Sequence, residues 1–113
     1  MDRVVTDNRR VDIFCEINLE RIRQDRVHPW GGLNVMMRYK PLEYYTETAM
    51  ALKEANDFDE EHGEAFIDQL IDEEFHETFA ETDPAKQRIE AVQLAALCVR
   101  LIEEIDRKMK DNA

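Results

Sequence analysis

Hydrophobic residues recur along most of the chain at intervals of three and four, which is the spacing of one face of an α-helix. The first such segment runs from about residue 9 to residue 25 and stops at a Pro-Trp-Gly-Gly sequence, which is unfavourable in a helix. A second segment runs from about residue 41 to residue 56, and the acidic stretch 57–63 that follows it is interpreted as a loop. The inner face of the second helix is predicted to comprise Leu42, Tyr45, Ala49 and Leu52.

Two further helices are predicted in the second half of the chain, over residues 64–81 and from residue 84 to about residue 110. Between them, Asp83 is suited to be an N-cap and Pro84 to be the first helical residue. No alternating pattern typical of a strand occurs. The sequence therefore predicts an all-α fold, a bundle of four to five helices. It forms a single domain over residues 9–113, behind a frayed N-terminus at residues 1–8.

Net charge and composition argue against nucleic acid and membranes as partners of this protein. The 113 residues carry a formal net charge of −11, which repels nucleic acid and anionic lipid, so neither is expected as a partner. The N-terminus lacks the apolar segment of a signal peptide, and no apolar run approaches the roughly 20 residues that span a bilayer. We therefore expect a cytoplasmic protein that does not enter a membrane. Cys15 and Cys98 lie in apolar stretches and are expected to be buried thiols.

The helix over residues 64–81 departs from a simple amphipathic pattern. On a helical wheel its apolar face comprises Ile67, Leu70, Ile71 and Phe75. Glu74 lies in the middle of that face, and Glu77 and Glu81 lie on its flank. Glu73 lies further round, towards the polar side. Carboxylates therefore line one edge of a surface that is predicted to face the protein interior.

The last helix shows a second departure. From residue 89 to residue 102 it is apolar nearly all round, which predicts burial on every side. Its polar exceptions, Glu90, Gln93 and Arg100, fall within one narrow sector of the wheel, and Glu104 continues that sector one turn later. Because a chain with four helices cannot easily cover such a helix on every side, the pattern also predicts an obligate homo-oligomer, most simply a dimer.

Adjacent carboxylates on an inward face are costly unless something compensates their charge. Magnesium does so readily because it prefers hard oxygen ligands, and carboxylates three or four residues apart project from one helix face. A facing helix can supply the remaining ligands. Two alternatives stay open at this point: the glutamates could pair with Lys86, Arg88 or Arg100, or they could face solvent in a looser bundle.

The acidic motifs resemble those of a known family. The run Glu73-Glu74-Phe75-His76-Glu77 is similar to the EExxE motif of the MazG-like, all-α NTP pyrophosphatases. On the next helix, the run from Glu90 to Gln93 occupies the place of that family's ExxD motif. The stretch ERIRQDRVHPWGG, residues 20–32, also resembles the opening of MazG-like proteins from bacteria and phages. The resemblance covers roughly residues 16–107.

This resemblance implies a dimer or tetramer that hydrolyses a nucleoside triphosphate to the monophosphate and pyrophosphate, with Mg²⁺ or Mn²⁺ as cofactor. It implies that Glu74, Glu77 and Glu90 are metal ligands. Glu73 would support the site or orient the attacking water, so Glu73 and Glu74 are the expected catalytic residues. Gln93 stands where the family usually has aspartate, and as a neutral ligand it should hold magnesium less tightly.

Further residues are predicted to support this site. Glu81 or Glu104 could supply the charge that Gln93 lacks. The candidates for phosphate contacts are Lys86, Arg88 and Arg100, and Trp30 is a candidate for stacking on a base. The neutral Gln93 favours a second hypothesis, in which the chain is a catalytically weakened MazG-like helical module that acts as a binding or regulatory protein.

Overall fold

The computed structural model describes residues 8–35 and 39–112, and within these residues it contains four α-helices and no strand. The helices are α1 (Asn8–Val27), α2 (Leu42–Glu61), α3 (Ile67–Ala80) and α4 (Pro84–Asp111). The all-α prediction is therefore confirmed for this part of the chain. Within the same residues, no helix is long and apolar enough to cross a bilayer. The assembly of the helices into one bundle, as a single domain over residues 9–113, stays a prediction.

The described residues divide into two compact units. One unit contains α1, the residues up to 34 and the end of α4 from residue 102, and the other contains α2, α3 and α4 as far as residue 101. In the first unit Ile13 is buried and Arg10 forms a salt bridge of 3.1 Å with Glu103. Of the segment predicted to be frayed, residues 1–7 lie outside the described residues, and Asn8 is the first residue of α1.

Helix α2 is longer than its hydrophobic pattern indicated. It continues to Glu61, so the interpretation of residues 57–63 as a loop is wrong for residues 57–61. Local polar and aromatic contacts stabilise this last part. Lys53 pairs with Asp57 at 3.2 Å, and the Phe58 and His62 ring centroids are 4.2 Å apart. Gly63 follows with a φ of 76°, a conformation that favours glycine.

Helix α2 packs against α3 through a row of small and aromatic side chains. Tyr45 and Ala49 are buried, as predicted, and the Tyr45 ring centroid lies 6.2 Å from that of Phe79 and 5.8 Å from that of His76. Leu42, the first residue of α2, is 41% exposed, so its assignment to the inner face is wrong. The buried row of α2 begins one turn later, at Tyr45.

Helix α3 buries two polar side chains that the wheel did not place in the core, His76 and Thr78. His76 Nδ1 lies 2.8 Å from the carbonyl oxygen of Asp72, and Thr78 Oγ1 donates to the carbonyl oxygen of Glu74 at 2.7 Å. Because each is satisfied by the backbone of its own helix, burial leaves no hydrogen bond unmade. Phe75, predicted to face inwards, is 42% exposed, since the inner face is turned towards His76 and the tyrosines of α2.

A short connection, residues 81–83, joins α3 to α4. Asp83 Oδ2 accepts a hydrogen bond from the backbone N–H of Lys86 at 3.1 Å, and the Asp83 carbonyl accepts one from Gln87 N–H at 2.8 Å. These are the bonds of an N-cap residue, and Pro84 is the first residue of the helix. The predicted start of α4 is confirmed.

Burial of α4 on every side is not observed within the chain. Val99 is its one buried residue, whereas Ile89 is 56% exposed and Val92 is 53% exposed. The thiols of Cys15 and Cys98 are free and exposed, so the prediction that they are buried is wrong for the single chain. The apolar side chains of Ile89 and Val92 are therefore accessible.

Candidate metal centre

Three glutamates converge on one edge of α3. Glu73, Glu74 and Glu77 each offer a carboxylate oxygen, and these oxygens all lie within 4.8 Å of one another. All three side chains are half-buried. Their spacing explains the convergence, because residues three or four apart in a helix project from the same face. The EExxE motif thus forms a local group of hard oxygen atoms.

Helix α4 adds Glu90 and Gln93 to this group. Glu90 is half-buried and its carboxyl group is hydrogen-bonded to that of Glu74. The Gln93 amide is assigned the orientation in which its nitrogen donates to Glu74 Oε2 at 3.3 Å and to Glu90 Oε2 at 3.0 Å. The opposite orientation would set the amide oxygen against two carboxylate oxygens. We refer to Glu73, Glu74, Glu77 and Glu90 as the carboxylate cluster.

Burial and the proximity of other carboxylates raise the pKa values of two members of the cluster, Glu74 and Glu77. Burial, a hydrogen bond with Glu73 and the charges of the neighbouring glutamates raise the pKa of Glu77 to about 8. Burial, a hydrogen bond with Glu90 and the charge of Glu90 raise the pKa of Glu74 to about 7. Both carboxyl groups therefore retain protons at a pH where an isolated glutamate is fully ionised.

The donor set of the carboxylate cluster is suited to a divalent cation. It provides hard oxygen atoms from two helices, which is the ligand type that Mg²⁺ prefers. A bound cation would also release the protons that Glu74 and Glu77 otherwise retain, because metal binding and protonation compete for the same oxygen atoms. The residues therefore fit the magnesium ion that the sequence motifs imply.

A network of amide groups holds Glu73 from the side of α2. Asn56 Nδ2 donates to Glu73 Oε1 at 2.8 Å and to the carbonyl oxygen of Gln69 at 3.3 Å. Gln69 Nε2 donates to Asn56 Oδ1 and to Asp59 Oδ2, each at 2.8 Å. We refer to Asn56, Gln69 and Asp59 as the amide network. Sequence reasoning missed it because it ended α2 at Asn56, although Asn56 continues the spacing of Tyr45, Ala49 and Leu52.

Two clefts border the carboxylate cluster. One, of about 290 Å³, is lined by Thr46, Ala49, Met50, Lys53, Glu77, Ala80, Glu81 and Glu90. The other, of about 410 Å³, is lined by Leu70, Glu73, Glu74, Gln93, Ala96, Leu97 and Arg100. Each cleft therefore combines carboxylates of the cluster with apolar walls and one basic side chain.

Lys53 is a cation near the cluster that sequence reasoning also missed. Its hydrogen bond and ion pair with Asp57 raise its pKa, and the charges of Glu73 and Glu77 raise it further. The Lys53 side chain is exposed, so it remains accessible to an anionic ligand in the first cleft. Its position four residues after Ala49, on the edge of the buried row of α2, was the available signal.

Four other predicted site residues lie in the unit that contains α2 and α3, and their surroundings differ. Arg100 lines the second cleft beside Glu73 and Glu74. Glu81 lines the first, but its Oε1 accepts hydrogen bonds from the backbone N–H groups of Thr82 and Asp83, at 3.2 and 3.1 Å. Glu81 therefore stabilises the connection to α4. Lys86 and Arg88 are exposed on α4 and line neither of the two clefts.

Trp30 and Glu104 belong to the unit that contains α1. The Trp30 ring is stacked on that of His28, with centroids 5.0 Å apart and planes inclined by 16°, and Trp30 is 54% exposed. Glu104 pairs with Arg107 at 2.9 Å. Base stacking by Trp30 and a contribution of Glu104 to the metal site stay predictions.

Comparison of the chain with known protein families, with characterised proteins and with solved structures finds no match in any of the three. The likeness to MazG-like proteins therefore rests on the motifs alone.

Proposed function

We propose that the chain is a metal-dependent nucleoside triphosphate pyrophosphohydrolase of the MazG-like, all-α type. The observation that carries this proposal is the carboxylate cluster, in which half-buried glutamates of two helices lie side by side and the pKa values of Glu74 and Glu77 are raised to about 7 and about 8. Glu74, Glu77 and Glu90, with Gln93 beside them, would hold Mg²⁺ or Mn²⁺. The bound ion would neutralise the charge on the phosphate oxygens and on the leaving pyrophosphate.

The remaining side chains have roles that follow from their charge and position. Glu73, fixed by Asn56, would accept a hydrogen bond from the attacking water and orient it. Water would attack the α-phosphorus in line and pass its proton to Glu73, while the bond from the α-phosphorus to the oxygen that bridges it to the β-phosphorus breaks and pyrophosphate leaves. Lys53 and Arg100 each line a cleft beside the cluster, where a guanidinium or ammonium group can bind phosphate oxygens.

Product analysis tests the assigned reaction. Canonical and modified nucleoside triphosphates are incubated with the protein and Mg²⁺, with an EDTA-treated sample as control, and pyrophosphate and nucleotide products are measured. We expect the monophosphate and pyrophosphate to appear in equal amounts and only when metal is present. Formation of the diphosphate and inorganic phosphate would show that the reaction is assigned wrongly.

One observation favours the second hypothesis, a helical module that binds or regulates without turnover. The neutral Gln93 amide donates to Glu74 and Glu90, and so it satisfies part of the charge that a cation would neutralise. The two hypotheses are separated by a thermal-shift measurement combined with the product assay. A rise in melting temperature with Mg²⁺ or Mn²⁺ and pyrophosphate release together support the enzyme. The absence of both favours the module.

We propose in addition that the protein is a homo-oligomer, most simply a two-fold dimer that buries α4. Ile89 and Val92 support this, because both are more than half exposed on a helix that is apolar nearly all round. Sedimentation velocity at micromolar concentration should show a dimer or tetramer, and Val92→Arg should shift it towards monomer. A stable, folded wild-type monomer would exclude the proposal.

A further inference from the structure

Asn56 is the most completely bonded polar side chain between α2 and α3. It is only 8% exposed, and both polar atoms of its carboxamide have partners on α3. Its Oδ1 accepts from Gln69, and its Nδ2 donates to Glu73 and to the carbonyl oxygen of Gln69. The Asn56 side chain cannot rotate without breaking several of these bonds at once.

The chemistry of the partners also determines which atoms of Asn56 and Gln69 donate and which accept. Glu73 accepts through its carboxylate, so the Asn56 amide must present its nitrogen to Glu73 and its oxygen to Gln69. Gln69 then presents its nitrogen to Asn56, and the second hydrogen of the same nitrogen goes to Asp59. The amide network therefore ends in one donor, which is directed at the carboxylate cluster.

We propose that Asn56 is a positioning residue for Glu73. By binding Glu73 Oε1, it holds the carboxylate in one orientation relative to Glu77, with which Glu73 is also hydrogen-bonded. This inference rests on the proposed function, in which Glu73 orients the attacking water. The hydrogen-bond partners of Asn56 are Glu73 and Gln69, so its effect on the reaction would pass through Glu73.

The other buried polar residues, His76 and Thr78, form hydrogen bonds of a different kind from those of Asn56. His76 and Thr78 bond to carbonyl groups within their own helix, and neither reaches a carboxylate of the cluster through those bonds. Asn56 instead reaches across from α2 to Glu73. The buried row of α2 otherwise consists of tyrosine, alanine and leucine, so its spacing alone does not account for an amide at position 56.

The test replaces Asn56 by leucine, which has a similar shape and no charge but cannot donate. Steady-state kcat and KM are measured with Mg²⁺ and the best triphosphate substrate, and Mn²⁺ affinity is measured by electron paramagnetic resonance with the metal alone. We expect kcat to fall about 10- to 100-fold, as is typical when a hydrogen-bond partner of an active-site group is removed. KM and Mn²⁺ affinity should change little, because the partners of Asn56, Glu73 and Gln69, are not among the four residues proposed to hold the metal.

Thr78→Val is the matched control. It also removes one buried hydrogen bond beside the cluster while it preserves side-chain shape, but the bond it removes goes to a backbone carbonyl. It should lower the melting temperature as Asn56→Leu does and leave kcat near that of the wild type. Gln69→Met is a second variant in case Asn56→Leu does not fold. Gln69 is only half-buried, and its loss should lower kcat in the same direction by releasing the Asn56 amide.

The outcomes separate this inference from the proposed function. A wild type that hydrolyses the substrate, with kcat lowered selectively in Asn56→Leu or Gln69→Met, supports positioning. If the wild type is active and these variants behave like Thr78→Val, the positioning role is excluded and the function stands. The same holds if kcat, KM and Mn²⁺ affinity all deteriorate together, since that indicates general disruption. A wild type that neither binds Mn²⁺ nor releases pyrophosphate excludes the function and this inference with it.

Discussion

Helix α3 presents polar side chains to two neighbouring helices, and the two sets are stabilised in different ways. Towards α2, the amide network consists of Asn56, Gln69 and Asp59, and each donor there has an acceptor at hydrogen-bonding distance. Towards α4, the carboxylate cluster places acceptor beside acceptor, and the Gln93 amide is a donor that joins it from α4. Glu73, a member of the cluster, also accepts a hydrogen bond from the amide network and so joins the two sets.

This difference shows which buried polar groups need a proton or a cation from the solvent. Where amides and carboxylates alternate, the chain itself satisfies its buried polar groups, and such a network stabilises one arrangement of helices. Where carboxylates meet carboxylates, either protons or a cation must reduce the repulsion. Burial, together with the neighbouring carboxylates, accordingly raises the pKa values of Glu74 and Glu77. A stretch of polar residues facing inwards is therefore a ligand site only when its donors and acceptors do not balance.

Neutralising a member of the carboxylate cluster should have the largest effect. Glu74→Gln removes a predicted metal ligand and leaves a side chain of nearly the same shape. Metal-dependent pyrophosphate release should fall by about 100-fold or more, the range seen when one electrostatic group is removed from an active site. The fold should persist, which circular dichroism checks, and the metal-free protein should not lose stability. Full activity in this variant would remove Glu74 from the site.

The pH dependence of stability should follow from the cluster in the metal-free protein. The pKa values of Glu74 and Glu77 are raised from 4.5 to about 7 and about 8, so between these limits the folded state binds more protons than the unfolded state. The free energy of unfolding contributed by these groups is fully present below about pH 4.5 and is lost as the pH rises through 7 to 8.

Thermal denaturation in EDTA between pH 5 and pH 9 measures this loss. The melting temperature of the wild type should decline most steeply between about pH 5 and pH 7 and level off above about pH 8, and Glu77→Gln should flatten the decline because the substituted amide cannot ionise. Saturating Mg²⁺ should also flatten it, since the ion replaces the protons. An equally steep decline in Glu77→Gln would assign the pH dependence to other groups.

Gln93→Asp should replace a hydrogen-bond donor beside the carboxylate cluster by another acceptor. The change removes the two hydrogen bonds that Gln93 donates and adds a negative charge beside Glu74 and Glu90. The Mg²⁺ concentration for half-maximal activity should fall several-fold, while the metal-free protein becomes less stable near neutral pH. Parallel Mg²⁺ titrations of activity and melting temperature measure both effects. If the variant binds metal no better, Gln93 only matches the position of the family's aspartate.

The smallest effect is expected at the far end of the amide network. Asp59→Asn removes a carboxylate charge, as Glu74→Gln does, but it retains an oxygen that can accept the bond from Gln69. Activity should stay near that of the wild type, and the free energy of unfolding should change by no more than about 1 kcal/mol, the net value of one hydrogen bond. A large loss of activity would show that the negative charge of Asp59 contributes to the site together with the carboxylate cluster.

Much of the fold and part of the site were predictable from local physics. Pro84 and the N-cap Asp83 define the start of α4 through bonds within four residues, and the structure has both. The wheel placed Glu74 and Glu77 on one edge of α3, and Glu90 and Gln93 in one sector of α4. The structure brings those two sets together.

What the sequence did not reveal depends on contacts between helices. The pattern 45, 49, 52, 56 continues along α2, but its last member is an amide, and hydrophobic periodicity does not register a polar residue whose partner lies on another helix. The acidic run after Asn56 was interpreted as a loop for the same reason. Burial of His76 and exposure of Phe75 likewise depend on which way α3 faces α2, and the apolar pattern of α3 alone did not determine that.

The short connection at residues 81–83 has a consequence for how the chain folds. Every member of the carboxylate cluster, together with Gln93, comes from the single stretch 73–93, so forming the cluster closes only a small loop and costs little chain entropy. Such local contacts are typically made early in folding, before those between distant segments. We therefore expect α3 and α4 to meet faster at pH 5, where Glu74 and Glu77 can take up protons as the cluster forms, than at pH 8, and stopped-flow refolding at the two pH values would measure this.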